Sequence, residues 1–120
     1  MIQFICYPKC TTCQKARRWL DENKIEYQLR DIKLNNPTKE ELTSWYKMSG
    51  LPLKKFFNTS GLLYKSLDLK NKIRSMSDDE MLTLLASDGM LVKRPLTVGD
   101  GIVVLGFDES KYLGIKERIK

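Results

Sequence analysis

The chain has 120 residues, 42% of them hydrophobic and 30% charged. That is room for one domain with a core of its own, with no need of a disulfide framework or a metal. It contains no histidine, which excludes Ser-His-Asp and Cys-His catalysis and histidine-built zinc sites. The net charge of +6 comes from 21 basic and 15 acidic residues interspersed along the chain, as on solvated helix faces, so no direct DNA binding is expected.

Ile2 to Cys6 is a short apolar run with β-branched and aromatic content, and predicts a buried strand. It carries neither a basic leader nor a cleavage site, and no apolar run nears the ~20 residues of a membrane helix. A cytoplasmic protein without membrane contact is expected. Tyr7-Pro8-Lys9 breaks the strand. Cys13, Ala16 and Leu20 then recur at helical spacing, with Trp19 beside them and the charged residues largely opposite. Asn23-Lys24 ends that helix, and Ile25 to Ile32 alternates as a second strand. Strand, helix, strand is a βαβ unit with parallel strands.

Residues 35 to 92 carry mostly helical signals. Thr38 to Glu41 and Ser77 to Glu80 both fit capping boxes. Leu42, Trp45 and Tyr46 follow the first, with Gly50 as the stop. Met81, Leu82, Leu84 and Leu85 follow the second, with Asp88-Gly89 as the stop. Between them, Pro52 opens a short helix packing Leu53, Phe56 and Phe57. Asn58 to Gly61 is a turn, and Leu63 to Ile73 is helix-prone. Leu96 to Val98 and Ile102 to Leu105 flank Gly99-Asp100-Gly101, a hairpin signal. Asp108 to Ile119 closes the chain as a helix. The expected domain is single, with residues 1–33 and 90–120 as its core and 34–89 as a helical insertion.

The chemistry lies in Cys10-Thr11-Thr12-Cys13, between a strand and a helix. Cys10 falls at the helix N-terminus, where unpaired N–H groups and the dipole favour a thiolate. Cys13 is one turn further in on the same face, within reach of a mixed disulfide on Cys10. Three readings compete. A structural zinc site needs four ligands, and only Cys6 is left as a third. Two inert buried thiols are another. A redox pair, Cys10 as nucleophile and Cys13 as resolving thiol, is the reading taken, with no metal. Cys6, in a core strand, reads as a small hydrophobe. Arg94-Pro95 precedes the hairpin and is by itself a weak signal.

Cys10 to Cys13 with Gln14-Lys15-Ala16, Phe57-Asn58-Thr59, Leu91 to Pro95 and Gly106-Phe107 together resemble the arsenate reductase-like (ArsC/Spx/MgsR) family, in order and spacing over nearly the whole chain. The resemblance implies an α/β, thioredoxin-like fold: βαβ plus ββα, a four-stranded mixed sheet, and a helical insertion between the halves. It implies that Pro95 is a cis-proline, and that Arg94 holds an oxyanion or tunes the Cys10 thiolate. Thr11, Thr12 and Pro95 become the expected substrate-binding residues. It also implies an external thiol reductant, thioredoxin or glutathione with glutaredoxin, and no bound cofactor.

The family's arsenate reductases place three arginines around one cysteine. Arg94 matches one; Ser60 stands near the place of another, and Ile102 to Leu105 fill the place of the third. The Spx branch consists of redox-sensing regulators that carry CxxC at the matching place and bind the RNA polymerase α subunit. Gly50 matches a glycine of that contact. The resemblance thus implies either a thiol-dependent reductase or a redox-sensing polymerase partner.

Overall fold

Apolar residues two apart on a strand and three or four apart on a helix each make one face that needs cover. The chain solves this in two compact units, Met1–Asp31 with Arg94–Lys120, and Ile32–Lys93. The structure is a computed structural model, and residues 1–118 are described.

In the first unit, strand β1 (Ile2–Cys6) leads into helix α1 (Thr11–Glu22) and returns as β2 (Tyr27–Asp31). β1 and β2 are parallel, from Ile2 opposite Tyr27 to Cys6 opposite Asp31. In the second unit lie α2 (Lys39–Ser49), α3 (Leu62–Ser66), α4 (Leu69–Lys72) and α5 (Asp78–Ser87), with short 3-10 turns between them. The chain then re-enters the first unit through β3 (Leu96–Gly99), β4 (Ile102–Leu105) and α6 (Glu109–Arg118). The sheet runs β2-β1-β3-β4, with β3 antiparallel to both β1 and β4. This is the mixed four-stranded, thioredoxin-like arrangement that the sequence predicts.

Ile2, Phe4 and Cys6 of β1 pack with Cys13, Ala16 and Leu20 of α1, Val104 of β4, and Tyr112 and Ile115 of α6. Each large side chain so buried contributes roughly 1.5–3 kcal/mol. Tyr112 is the largest of these. Its ring meets Trp19 and Phe107 edge-on at 5.4 and 5.1 Å, and its hydroxyl hydrogen-bonds with the buried Thr97 hydroxyl at 2.8 Å. The hairpin closes through Asp100 and Gly101, at φ 50° and 79°. Two left-handed residues in succession are what a two-residue turn matching the strand twist requires.

In the second unit, both capping boxes form. Thr38 accepts from the Glu41 N–H and Ser77 from the Glu80 N–H, each at 3.1 Å, and both glutamates accept in return. Leu42 and Trp45 of α2 and Leu82 and Leu85 of α5 are buried, and Lys39 pairs with Asp79 at 2.7 Å. A short antiparallel contact, Phe57 opposite Val92, ties the exit of the Leu53–Phe56 turn to the segment ending at Lys93.

Three details differ from expectation. β2 covers Tyr27–Asp31 rather than Ile25 to Ile32, and Leu29 is 49% exposed. It is an edge strand, and its alternation extends past the helix cover. The helix-prone run from Leu63 to Ile73 is two short helices, because Asp68 takes a left-handed φ of 52° and is held by Asn71 at 2.8 Å. Aspartate is among the few residues that tolerate this. The last helix is seen to Arg118; Ile119 lies outside the described residues.

Candidate redox site

β1 delivers Cys6, and three residues later the chain must turn upward into α1. The Cys10 N–H donates to the Tyr7 carbonyl at 2.9 Å, which closes that turn. Cys10 itself is extended, at φ −84° and ψ 121°, and its carbonyl accepts the first helical bond, from Gln14 at 3.1 Å. It is therefore the N-cap of α1. Its thiol closes no cap hydrogen bond. Thr11 and Thr12 occupy the first two helical positions and are exposed.

Cys10 is half-buried, whereas Cys13 and Cys6 are buried, and all three are free thiols. Burial opposes ionisation of Cys10, but the Cys13 N–H, the Cys13 thiol and the Arg94 guanidinium outweigh it and hold Cys10 below the ordinary thiol range. Cys13 goes the other way. The neighbouring Cys6 thiol first, then burial, then Cys10, push it far up. The pair is thus one reactive sulfur and one reserve thiol. Resolution by Cys13 has to follow adduct formation at Cys10, when the competing Cys10 charge is gone.

The structure brings Cys10, Cys13 and Arg94 together. Arg94 precedes a cis bond to Pro95. Pro95 is buried, and its carbonyl accepts from the Gly106 N–H at 2.8 Å, which anchors the start of β3 to the end of β4. Sequence reasoning missed Tyr7, read only as part of a strand break. Its N–H donates to the Cys13 sulfur at 3.4 Å, and its ring lies 5.3 Å from the Arg94 guanidinium carbon. An aromatic residue at the strand end beside CxxC, with an arginine elsewhere, was the available signal. It missed the Cys6–Cys13 contact as well. Among the described residues, no group of three or more His, Cys, Asp or Glu side chains is placed to hold a metal ion.

The ArsC family model matches residues 6–115, from Cys6 to Ile115. The chain belongs to the ArsC family. Among its relatives is the uncharacterized protein YusI of Bacillus subtilis, 53% identical over 92% of this chain and 94% of YusI. The regulatory protein MgsR of the same organism is 29% identical over 98% of this chain and 91% of MgsR. Among solved structures, an ArsC family related protein from Bacteroides fragilis superposes with a TM-score of 0.94 at 51% identity, covering 95% of this chain and 96% of that one. A structure described as a possible arsenate reductase from Streptococcus mutans gives 0.84 at 50% identity, covering 89% and 91%. The ArsC fold is therefore common ground between this chain and relatives named for both reduction and regulation. No helix among the described residues is long and apolar enough to cross a membrane.

Proposed function

We propose that this ArsC-family chain is a cytoplasmic thiol–disulfide oxidoreductase with Cys10 as nucleophile and Cys13 as resolving thiol. The observation that carries the reading is the half-buried Cys10 at the helix start, beside Arg94, with a protonated Cys13 one turn behind it. With a disulfide substrate, the Cys10 thiolate attacks one sulfur and expels the first thiolate. Cys13 gives up its proton, attacks the Cys10 sulfur and expels the second. Two electrons leave the dithiol as the Cys10–Cys13 disulfide forms. With arsenate, the same two electrons reduce arsenic(V) to arsenic(III), and one arsenate oxygen leaves as water with the two protons given up by the dithiol. An external reductant, thioredoxin or glutathione with glutaredoxin, restores the dithiol. Arg94 stabilises the thiolate and offers an oxyanion two parallel N–H bonds. Thr11 and Thr12 present the substrate side of the helix start.

The test is a single turnover without a guessed electron donor. Fully reduced protein is mixed with arsenate, or with oxidised glutathione, then quenched with an alkylating reagent and mapped by mass. A Cys10–Cys13 disulfide from arsenate makes the protein an arsenate reductase. The disulfide from oxidised glutathione alone makes it a disulfide reductase. Cys10→Ser is expected to abolish both, and full turnover in that variant would remove Cys10 from its role.

A second reading rests on the similarity to MgsR over 98% of the chain and on the single matched arginine. Here the same pair is a redox switch on a partner of the RNA polymerase α subunit. Retention of α subunit by the protein in one redox state but not the other would favour it. No retention in either state would end it.

A further inference from the structure

We propose that Cys6 is a third redox-active sulfur, which takes over the disulfide bond from Cys10 and returns Cys10 to the free thiol. The proposal rests on the reading of Cys10 and Cys13 as a redox pair and extends it.

Three sulfurs lie together. Cys13 is in hydrogen-bond contact with both Cys6 and Cys10, and Cys10 packs against the buried cluster that holds the other two. The Tyr7 N–H at 3.4 Å from the Cys13 sulfur sets that sulfur over the Cys6–Tyr7 peptide. Cys6 is the last residue of β1 and Cys13 is in the first turn of α1, and both lie in the same buried cluster. Burial of a small thiol in a strand needs no function. A buried thiol turned onto the sulfur that becomes the inner half of a disulfide is placed for exchange.

The step balances without any outside oxidant. The Cys6 sulfur attacks the Cys13 sulfur of the Cys10–Cys13 disulfide. The Cys6–Cys13 bond forms, the Cys10–Cys13 bond breaks, and Cys10 leaves as a thiolate beside Arg94. The proton lost by Cys6 passes to solvent or to Cys10. One disulfide is present before and after. The oxidised protein then keeps its oxidising equivalent inside the core while its half-buried sulfur, Cys10, is free to react again. A low-molecular-weight disulfide such as oxidised glutathione is the class of molecule that would engage Cys10 in this state.

The sequence supplies a clean readout. Trypsin cuts after Lys9 and Lys15, so Cys6 lies on residues 1–9, and Cys10 and Cys13 lie together on 10–15. The wild type and Cys10→Ser are each oxidised with diamide, quenched in acid at increasing times, alkylated in denaturant and digested. The expected wild-type product is peptide 1–9 joined to 10–15, two hydrogens lighter than the separate peptides, with the alkyl group on Cys10. Cys10→Ser is expected to give the same cross-link directly. Cys6 alkylated in both proteins overturns the proposal, and an internal disulfide in 10–15 would then leave the Cys10–Cys13 reading standing. A cross-link in Cys10→Ser, with Cys10 in no disulfide at any quench time in the wild type, earliest included, would keep Cys6 as a redox sulfur and remove the Cys10–Cys13 pair.

Discussion

The Arg94 guanidinium carbon stands 5.3 Å from the centre of the Tyr7 ring. Tyr7 therefore holds the charge that stabilises Cys10, and its own backbone accepts from the Cys10 N–H and donates to the Cys13 sulfur. Replacing Arg94 by Met removes the charge and keeps the length. The pH midpoint of Cys10 alkylation by iodoacetamide is expected to rise. Tyr7→Leu is expected to move it the same way by less, since a cation–π contact that is not fully desolvated contributes about 0.5–1 kcal/mol. An unchanged midpoint in both variants would separate Arg94 from the thiolate.

Stability should follow the two thiols in opposite directions. Cys10 titrates lower in the folded chain than in the unfolded one, so its contribution is present above the unfolded value and is lost as pH falls through the folded value. Cys13 titrates higher when folded, so its contribution is present below the unfolded value and is lost as pH rises toward the folded one. Urea midpoints across the neutral to alkaline range check both. Relative to wild type, Cys10→Ser should lose ground as pH rises, and Cys13→Ala should gain it at the alkaline end.

Gly89 is required by space rather than by backbone conformation. A Cβ built there would stand 1.8 Å from the Ile32 carbonyl oxygen. Gly89→Ala is expected to cost on the order of 1–3 kcal/mol, the range for forcing extra atoms into a packed site. Urea unfolding measures it, and a loss below about 0.5 kcal/mol would mean that the Ile32 backbone yields freely.

Tyr112→Phe keeps the ring contacts and deletes the hydroxyl. Thr97, 1% exposed, then loses its partner. An unsatisfied buried hydroxyl costs about 1–3 kcal/mol. The double variant with Thr97→Val removes both polar atoms and should recover much of the loss. Equal stability of the two variants would show that Thr97 finds another partner.

The four strands, the two capping boxes and the placing of Cys10 and Cys13 one turn apart at a helix head could be read in the sequence because each depends on local spacing: alternation, Ser/Thr to Glu at three residues, and CxxC after a strand break. Arg94 could be named from the resemblance alone, since nothing in Arg-Pro says which cysteine it will face. Three features could not be read. Leu29 alternates like a core residue, but an edge strand leaves it uncovered. Asp68 breaks a helix through a backbone angle that its neighbours do not announce. Cys6 looks apolar in a strand, and its meeting with Cys13 depends on how the turn from Tyr7 to Cys10 folds back, which a hydrophobic pattern does not encode.

The helix that carries the reactive sulfur also lacks the fastening that its counterparts have. α2 and α5 each begin with a closed capping box, while α1 begins with a thiol that caps nothing. A serine, threonine or aspartate there would tie down an orphan amide for about 1 kcal/mol. Only the charged sulfur is a strong enough acceptor to take that place. The first turn of α1 is therefore expected to be firmer when Cys10 is an anion than when it is neutral or bonded to Cys13. Amide exchange at Thr12 and Cys13 would report the charge on Cys10 with no substrate present.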